Sequence, residues 1–343
     1  MIDEPIAGLH YPKDVADLRR WFRTDDACLS YLEWLRWGDS FDCPLCGYDD
    51  YWNVANGRRK CKSCQKIISV TSGTVFDKTR IPMTVWFEAA WYFSVNKKGV
   101  SATDLLNWLP INSYQTAWTM LGKFRAAISS APKEPLKGKV ELDEWMQGGV
   151  RKGVYGRGVG KNIVIGAIEK GRGGRLRFQV IPNTKTEALR DFAKASIRPY
   201  SKVFTDDWRP YRKALDGYEH GAFNESKSDR EAHELLPDIH RVFSLCDRWL
   251  LGTHQGGVKK EHLQSYLDEY VFRFNRRNAK SRGLLFLRLL ELCIASDKVT
   301  YRDLVKVGAK RRNNSKPPVF HRRPGSLDVD ILYKPWLKAD QEF

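Results

Sequence analysis

The sequence contains no run of 18 or more apolar residues, so a membrane-spanning helix is not expected. Its opening segment, MIDEPIAGLHYPKD, has no basic stretch followed by an apolar core, so a secretory signal is not expected either. Seven cysteines in a chain without such a signal argue against a disulfide framework. Internal repeats and low-complexity tracts are also absent from the sequence. Together these absences favour a cytoplasmic protein, and a length of 343 residues is enough for two or three domains.

Acidic residues are scarce relative to basic ones. The 343 residues include 58 Lys and Arg but 41 Asp and Glu, which gives a formal net charge of +17. Hydrophobic residues make up 42% of the chain, enough to bury a sizeable core. A basic excess of this size favours a polyanionic partner, most often nucleic acid, over a merely basic protein. Residues 271–324 hold 15 Lys and Arg against 3 acids, so much of the charge lies there.

Four of the seven cysteines form a metal-binding pattern. They stand in two CxxC pairs, CPLCG and CKSC, whose ligands are Cys43, Cys46, Cys61 and Cys64. Each pair lets two thiolates converge from one tight turn, and two pairs complete a tetrahedral Zn²⁺ site. The 14 residues between the pairs suit a short β-hairpin, with YWNV and IISVTSG as strand-like flanks. Four thiolates leave no open coordination position, so we expect a structural zinc ribbon over residues 41–75. The other cysteines are expected to be buried apolar residues: Cys28, Cys246 and Cys293.

The residues on either side of the ribbon predict helices. Apolar residues recur every three or four positions in residues 12–37, and Pro82 opens a second helical pattern that runs to Val95. Two further helices, SATDLLNWLP and SYQTAWTMLGKFRAAI, resemble a helix-turn-helix. In the second of them Ser113 is a candidate N-cap, and one face carries Trp118, Leu121, Phe124 and Ile128. The residues left to contact DNA are Tyr114, Gln115, Thr116, Lys123 and Arg125. An ordinary helical hairpin explains this segment equally well.

A Pro- and Lys-rich linker, residues 131–138, is followed by a different pattern. Three strand-like runs, KVELDEW, NIVIGAIEK and RLRFQVIP, precede a helix in TEALRDFAKASI, a strand in KVFTD and further helices. This order predicts a mixed α/β sheet of the ribonuclease H type. The Gly-rich residues 148–162 are not a P-loop, because Tyr155 and Asn162 occupy positions that require Gly and Ser or Thr. We expect a flexible basic turn there that lies along a phosphate backbone.

Carboxylates stand at the ends of two predicted strands. Because side chains alternate along a strand, Glu141 and Asp143 share one face and Glu144 points to the other. Asp206 and Asp207 end the later strand, and again one acid of the pair faces a given site. Carboxylates that meet in this way bind Mg²⁺ or Mn²⁺ for phosphoryl transfer. Solvated strand ends or ion pairs with Lys and Arg are the alternative, which spacing alone favours.

Motifs along most of the chain are similar to those of bacterial insertion-sequence transposases of the ISXO-like group. They are YLEWLRW, the four cysteines, SVTSGTVFDKTRIPMTVWF, KKGVSATDLL, YQTAWTMLGKFR, ELDEWMQGG, FTDDWRPY, HRVFSLCDRWLLGTHQG and HLQSYLDEYVFRFNRR. The resemblance covers residues 8–278. It implies an N-terminal zinc ribbon and a ribonuclease H-like DDE domain that uses divalent metal to cleave and join DNA at transposon ends.

The resemblance also implies a set of catalytic residues. The first two acids of the family fall on Asp143 and Asp206, which would hold Mg²⁺ or Mn²⁺. The third position falls on His240, 34 residues after Asp206, where relatives carry an acid, Asn or His. An imidazole ligand suits Mn²⁺ better than Mg²⁺.

One position departs from the family pattern. Relatives usually have a Lys seven residues after the third catalytic position, where this chain has Asp247. Seven helical residues rise about 10.5 Å, too far for His240 and Asp247 to share one ion easily. Three explanations stay open. Arg248 reaches the DNA phosphate instead, Asp247 supplies the missing acidic ligand, or the copy has decayed and its catalysis is impaired.

A helical segment near residue 270 predicts further DNA contacts. Glu269, Arg273 and Arg276 are spaced i, i+4 and i+7, and Arg277 follows them. The resemblance implies a phosphate-contacting face here, whereas an exposed stripe of ion pairs is the alternative.

These predictions together describe a transposase that binds terminal inverted repeats, frees 3′-OH ends and joins them to target DNA. Its expected segments are a helical region (1–40), the zinc ribbon (41–75), a helix-turn-helix-like region (76–130), the catalytic domain (137–278) and a basic C-terminal region (279–343). We expect a homodimer or larger assembly on DNA, in the bacterial cytoplasm at the nucleoid. The alternatives are a DNA-binding protein whose catalysis has decayed and, more remotely, a nuclease that cuts without joining.

Overall fold

The computed structural model describes residues 5–38, 40–55, 57–148, 161–223, 232–255 and 258–305. Most of the predicted Gly-rich turn, and the tail after residue 305, lie outside these residues. Within the described ranges, no helix has the length and apolar character needed to cross a bilayer.

The N-terminal part is a pair of helices followed by a small antiparallel sheet. The elements are α1 (Val15–Trp21), α2 (Asp25–Trp37), β1 (Tyr51–Val54), β2 (Arg58–Cys61) and β3 (Ile67–Ser69). The helices begin at Asp14 and Thr24, whose side chains accept hydrogen bonds from backbone N–H groups of the first turn. β2 pairs with both β1 and β3. The hairpin predicted between the cysteine pairs is therefore confirmed.

Three helices continue the N-terminal part: α3 (Met83–Val95), α4 (Ala102–Trp108) and α5 (Tyr114–Ser130). Pro82 is the N-cap of α3 and not its first helical residue, a correction of one position. A capping box formed by Ser101 and Asp104 starts α4. Ser113 is the N-cap of α5, as predicted, and Leu121 and Phe124 are buried on the expected face.

The second sheet has five strands: β4 (Lys139–Gln147), β5 (Asn162–Glu169), β6 (Leu176–Ile181), β7 (Lys202–Asp206) and β8 (Glu219–Phe223). Their order across the sheet is β6-β5-β4-β7-β8. β5 is antiparallel to both β4 and β6, whereas β7 is parallel to both β4 and β8. This confirms the predicted mixed sheet and adds β8 to it.

Helices cover both faces of this sheet. They are α6 (Thr186–Ser196), α7 (Arg209–Ala214), α8 (Ala232–Leu235), α9 (Pro237–His254) and α10 (Leu263–Phe274). Alternation along β5 separates two cores, because Val164 packs with residues of α9 and α10 whereas Ile165 packs with residues of α6 and α7. The sheet is thus the middle layer of three, and α9 lies against β4 and β5.

Two more helices, α11 (Gly283–Ala295) and α12 (Tyr301–Val305), end the described part of the chain. α11 packs against α2, α3 and α5, and Phe286 and Leu290 are completely buried in the N-terminal core. Phe286 contacts the rings of Phe22, Phe87 and Trp91. The predicted basic C-terminal region therefore begins with a helix that completes the N-terminal core.

Candidate active site and zinc centre

The two cysteine pairs converge on one point. The Sγ atoms of Cys43 and Cys64 are 3.7 Å apart, and those of Cys46 and Cys61 are 3.6 Å apart. All four sulfurs lie within 4.8 Å of one another. A tetrahedral Zn²⁺ with bonds of about 2.3 Å separates its sulfurs by about 3.8 Å, so the arrangement fits a closed, structural zinc site.

The same turn closes both cysteine pairs. Gly47 follows Cys46 with φ 75°, and Gln65 follows Cys64 with φ 58°. The N–H of Gly47 donates to the carbonyl of Cys43 at 2.8 Å, and the N–H of Gln65 donates to that of Cys61 at 3.1 Å. Left-handed backbone at these positions turns the chain back so that both thiols of a pair face the same point.

Asp143 and Asp206 lie on neighbouring strands. β4 and β7 run parallel, and their register pairs Val140 with Val203 and Glu141 with Phe204. The same register continued by two residues sets Asp143 against Asp206, the last residue of β7. Two acids 63 residues apart in the sequence therefore come to the edge of the sheet where β7 ends, with Asp143 in the middle of the longer strand β4.

His240 reaches this edge from helix α9. Its Nε2 lies 3.2 Å from Oδ2 of Asp143. The helix is held there by Glu141, whose completely buried carboxylate accepts a 3.0 Å hydrogen bond from the N–H of Ile239 and pairs with Lys170. A carboxylate at a helix N-terminus satisfies an N–H group that has no partner in the helix and is favoured by the helix dipole. Glu141 thus fixes the first turn of α9 through Ile239, and His240 directly follows Ile239 in the helix.

Gly166 allows α9 to lie close to the sheet. It pairs with Asp143 across the β4–β5 ladder. A Cβ at this position would lie 2.7 Å from ring atoms of both Phe178 and Phe243. Phe243 belongs to α9, so the missing side chain at Gly166 provides the space in which the helix brings His240 to Asp143.

Sequence reasoning missed a tyrosine at the site. Tyr211 is completely buried and donates a 2.5 Å hydrogen bond to Oε2 of Glu144. Burial raises the pKa of Tyr211 well above its ordinary value, and the negative charges of Glu144, Asp143 and Asp206 raise it further. The hydroxyl therefore stays neutral and lies near three carboxylates. FTDDWRPY contains this tyrosine, but its spacing does not reveal that it faces Glu144.

Asp247 lines the same pocket as His240. The pocket, of about 310 Å³, is lined by Glu144, Trp145, Met146, His240, Phe243, Ser244 and Asp247. Burial raises the pKa of Asp247, which disfavours its charged form. The neighbouring Arg248 is exposed.

Asp207 pairs with Arg212 at 2.5 Å, whereas Asp206 accepts a 3.3 Å hydrogen bond from the N–H of Trp208.

Two carboxylates and an imidazole are a donor set that fits Mn²⁺ and, through the carboxylates, Mg²⁺. Asp143, Asp206 and His240 are less tightly gathered than the cysteines. Among the described residues, only the four cysteines form a group of three or more such ligands within 4.8 Å of one another. Asp143, Asp206 and His240 thus do not form a closed ligand group like that of the zinc site.

Two stretches of the chain match domains of known proteins. Residues 135–275 match the ISXO2-like transposase domain, and residues 23–67 match the transposase zinc-ribbon domain. The chain belongs to the ISXO2-like transposase family. The mixed sheet of this transposase is therefore a ribonuclease H-like core, and its three-stranded sheet is a zinc ribbon, as predicted.

Two relatives of the transposase cover different shares of the chain. An uncharacterized protein in transposable element ISH50 of Halobacterium salinarum is 28% identical over 281 residues, which cover 74% of this chain and 91% of the relative. An uncharacterized transposase-like protein of Haemophilus influenzae is 30% identical over 114 residues, which cover 33% of this chain and 90% of the relative.

Helix α5 of the transposase exposes only part of its predicted DNA-contacting set. Tyr114 and Gln115 are exposed at its start, and Thr116 is half-buried. The prediction is wrong for Lys123, which is buried and donates a 2.7 Å hydrogen bond to the carbonyl of Val75. After its first turn, α5 packs against α10, α11 and other helices, so its later cations point into the protein.

The prediction is also wrong for Arg125 and Arg273. Both guanidiniums bind Glu269, which is completely buried, with Arg125 Nε 2.7 Å from Oε2 and Arg273 Nη2 2.8 Å from Oε1. The alternative of ion pairs along this helix describes Glu269 and Arg273 better than DNA contact does, although these ion pairs are buried and not exposed. Arg276 and Arg277 are half-buried, and each also donates to backbone carbonyls.

Proposed function

We propose that this transposase cleaves DNA at transposon ends to free 3′-OH groups and joins those ends to target DNA. The observation that carries the proposal is the parallel pairing of β4 with β7, which runs to two residues before Asp143 and Asp206, with Nε2 of His240 3.2 Å from Asp143. Cleavage and joining are both in-line displacements at phosphorus, so one site serves both steps.

The residues at this edge of the sheet have separate roles. Asp143 and Asp206 would hold Mg²⁺ or Mn²⁺, which when bound would help to activate the attacking water in cleavage or the attacking 3′-OH in joining, and to stabilise the leaving 3′ oxygen. His240 would act as a nitrogen ligand or orient Asp143, and a nitrogen ligand favours Mn²⁺. Tyr211, neutral and buried, orients Glu144 beside them.

Recognition of the terminal repeats is proposed for the start of α5. In a helix-turn-helix the second helix places its N-terminal residues at base edges of the major groove. Tyr114 and Gln115 occupy that position and are exposed. Arg248, on the exposed face of α9, is proposed to meet phosphate near the scissile bond. Both transposon ends have to be cut and joined together, so the active form is a dimer or larger assembly.

The test uses purified transposase, labelled DNA that carries the terminal repeats, and Mg²⁺ or Mn²⁺. Strand-transfer product is expected from the wild type and is expected to fall at least about 100-fold in Asp143→Asn and Asp206→Asn, a loss of about 2.7 kcal/mol of transition-state stabilisation. Asp207→Asn is the matched control, because Asp207 is paired with Arg212. Strand transfer as high in Asp143→Asn and Asp206→Asn as in Asp207→Asn would refute the proposal.

A second candidate function is DNA binding without catalysis, and Asp247 is the observation that favours it. A carboxylate in the pocket beside His240 would repel phosphate, at a position where the family resemblance implies a Lys. The same assay separates the candidates, because this reading predicts bound DNA without product in either metal. Product that appears only in Asp247→Lys would identify a decayed copy, and cleavage without joining would identify a nuclease.

A further inference from the structure

The outer face of the zinc ribbon combines an exposed tryptophan with basic side chains. Antiparallel pairing sets Trp52 opposite Lys60 and Lys60 opposite Ile67, so the three side chains form one row across the sheet. Trp52 is 47% exposed and Ile67 is 55% exposed. Arg58 lies two residues before Lys60 on β2, on the same face, and is also exposed.

The inner face of the ribbon is occupied by the protein itself. Arg59 is buried there, with its guanidinium 4.4 Å from the ring centroid of Trp37 and 4.2 Å from that of Tyr51. It also pairs with Glu33 of α2 at 3.6 Å. The inner face therefore anchors the ribbon to α2, which directs the row formed by Trp52, Lys60 and Ile67 towards solvent.

Cations surround the exposed indole. The Nζ atoms of Lys60 and Lys62 lie 5.5 Å and 5.8 Å from the ring centroid of Trp52. Asp50 pairs with Lys62 at 2.7 Å and neutralises it. Within the described ranges, no acid forms an ion pair with Arg58 or Lys60. The face as a whole thus carries a net positive charge beside a large apolar ring.

We propose that this outer face binds the backbone of duplex DNA, with Arg58 and Lys60 at phosphates and Trp52 packed against the deoxyribose between them. Uncompensated cations beside an aromatic ring match the alternating phosphate and sugar of a DNA strand. The inference rests on the proposed function, since it takes transposon-end DNA as the partner. It predicts contacts that hold the end without reading its sequence.

The experiment measures binding of the full-length transposase to end DNA and to unrelated DNA at several salt concentrations. The double variant Arg58→Gln with Lys60→Gln should weaken binding to both DNAs by the same factor. It should also reduce the slope of log Kd against log salt by about 1.8, or 0.9 for each lost phosphate contact. Trp52→Ala should weaken binding about tenfold, because it removes the apolar contact with the deoxyribose. The slope should stay unchanged, because that contact releases no counterion.

The matched control is Lys194→Gln with Arg198→Gln, which removes one Lys and one Arg exposed on and after α6. It should leave affinity and slope unchanged. Zinc content, measured for every variant, shows whether the ribbon is folded. If the double variant loses zinc, Arg58→Gln alone gives the same test with a slope change of about 0.9.

The inference would be overturned if the Arg58 and Lys60 variant and Trp52→Ala both kept their zinc and bound DNA with wild-type affinity and slope. It would also be overturned if they lost affinity for the terminal repeat but not for unrelated DNA. Its failure is distinguishable from failure of the proposed function. A wild type that cleaves and joins while the ribbon variants bind normally defeats only the inference. A wild type that binds but forms no product defeats only the proposed function, and the ribbon result then stands.

Discussion

Replacing Glu269 by Gln is expected to destabilise the transposase strongly. The Glu269 carboxylate is completely buried between α5 and α10 and accepts hydrogen bonds from Arg125 at 2.7 Å and Arg273 at 2.8 Å. Arg125 is 3% exposed and Arg273 is 11% exposed at the side chain. Gln keeps the volume of Glu269 but leaves two buried guanidiniums without an opposite charge, which costs about 3–5 kcal/mol.

Urea unfolding followed by tryptophan fluorescence measures this loss. With a denaturant dependence of about 3 kcal/mol per molar urea, the midpoint should fall by about 1–1.7 M. Glu88→Gln is the matched control, because Glu88 pairs with Arg19 at the surface, where an ion pair contributes little. Its midpoint should be indistinguishable from that of the wild type.

The effect of Glu269 should also depend on pH. Burial raises the pKa of Glu269, but the charges of Arg125 and Arg273 outweigh it and lower the pKa below its ordinary value. The stabilisation is therefore complete above the unfolded-state pKa of about 4.3 and is lost as pH falls through the lower native pKa. The difference between wild type and Glu269→Gln should be largest near pH 7 and shrink below about pH 4. An unchanged urea midpoint at pH 7 would refute the reasoning.

Substitutions at three other residues test the framework of the site and the zinc centre. Glu141→Ala removes the hydrogen-bond acceptor at the start of α9 and should lower strand transfer at least about tenfold at unchanged DNA affinity. Glu141→Gln keeps an acceptor oxygen and should keep most of the activity. Equal activity of the two variants would contradict this role of Glu141. Gly166→Ala places a Cβ 2.7 Å from the rings of Phe178 and Phe243, and the overpacking should cost about 1–3 kcal/mol of unfolding free energy, measured in urea. An unchanged midpoint would show that α9 shifts without strain. Cys61→Ser should release zinc and weaken end binding, and a wild-type zinc content by metal analysis would rule out the ligand set.

Local sequence patterns were sufficient to predict those features of the structure that depend on local geometry. Cysteine spacing predicts the zinc ligands, because a tetrahedral ion requires two convergent pairs. Alternation along β4 correctly separates Asp143 from Glu144, which bonds Tyr211 of α7. The pairing of β4 with β7 is non-local and cannot be predicted from local pattern. The expectation that Asp143 and Asp206 meet came from the family resemblance.

Burial of charged residues could not be predicted from the sequence. Helical periodicity sets Arg125 and Arg273 apart from the apolar face, but their common partner Glu269 is 144 residues from Arg125. Only the packing of α5 on α10 brings the three together. β8 was missed for a related reason, because its sequence EHGAF lacks apolar alternation and pairs only at the edge of the sheet.

Titration with Mn²⁺, followed by electron paramagnetic resonance in the presence of end DNA, tests most directly whether Asp143 and Asp206 hold one cation together. The account predicts that Asp143→Asn and Asp206→Asn each weaken Mn²⁺ binding at least about tenfold, and that the double variant is little weaker than either, because both remove ligands of the same ion. Wild-type affinity in either single variant, or two losses that simply add in the double variant, would contradict it.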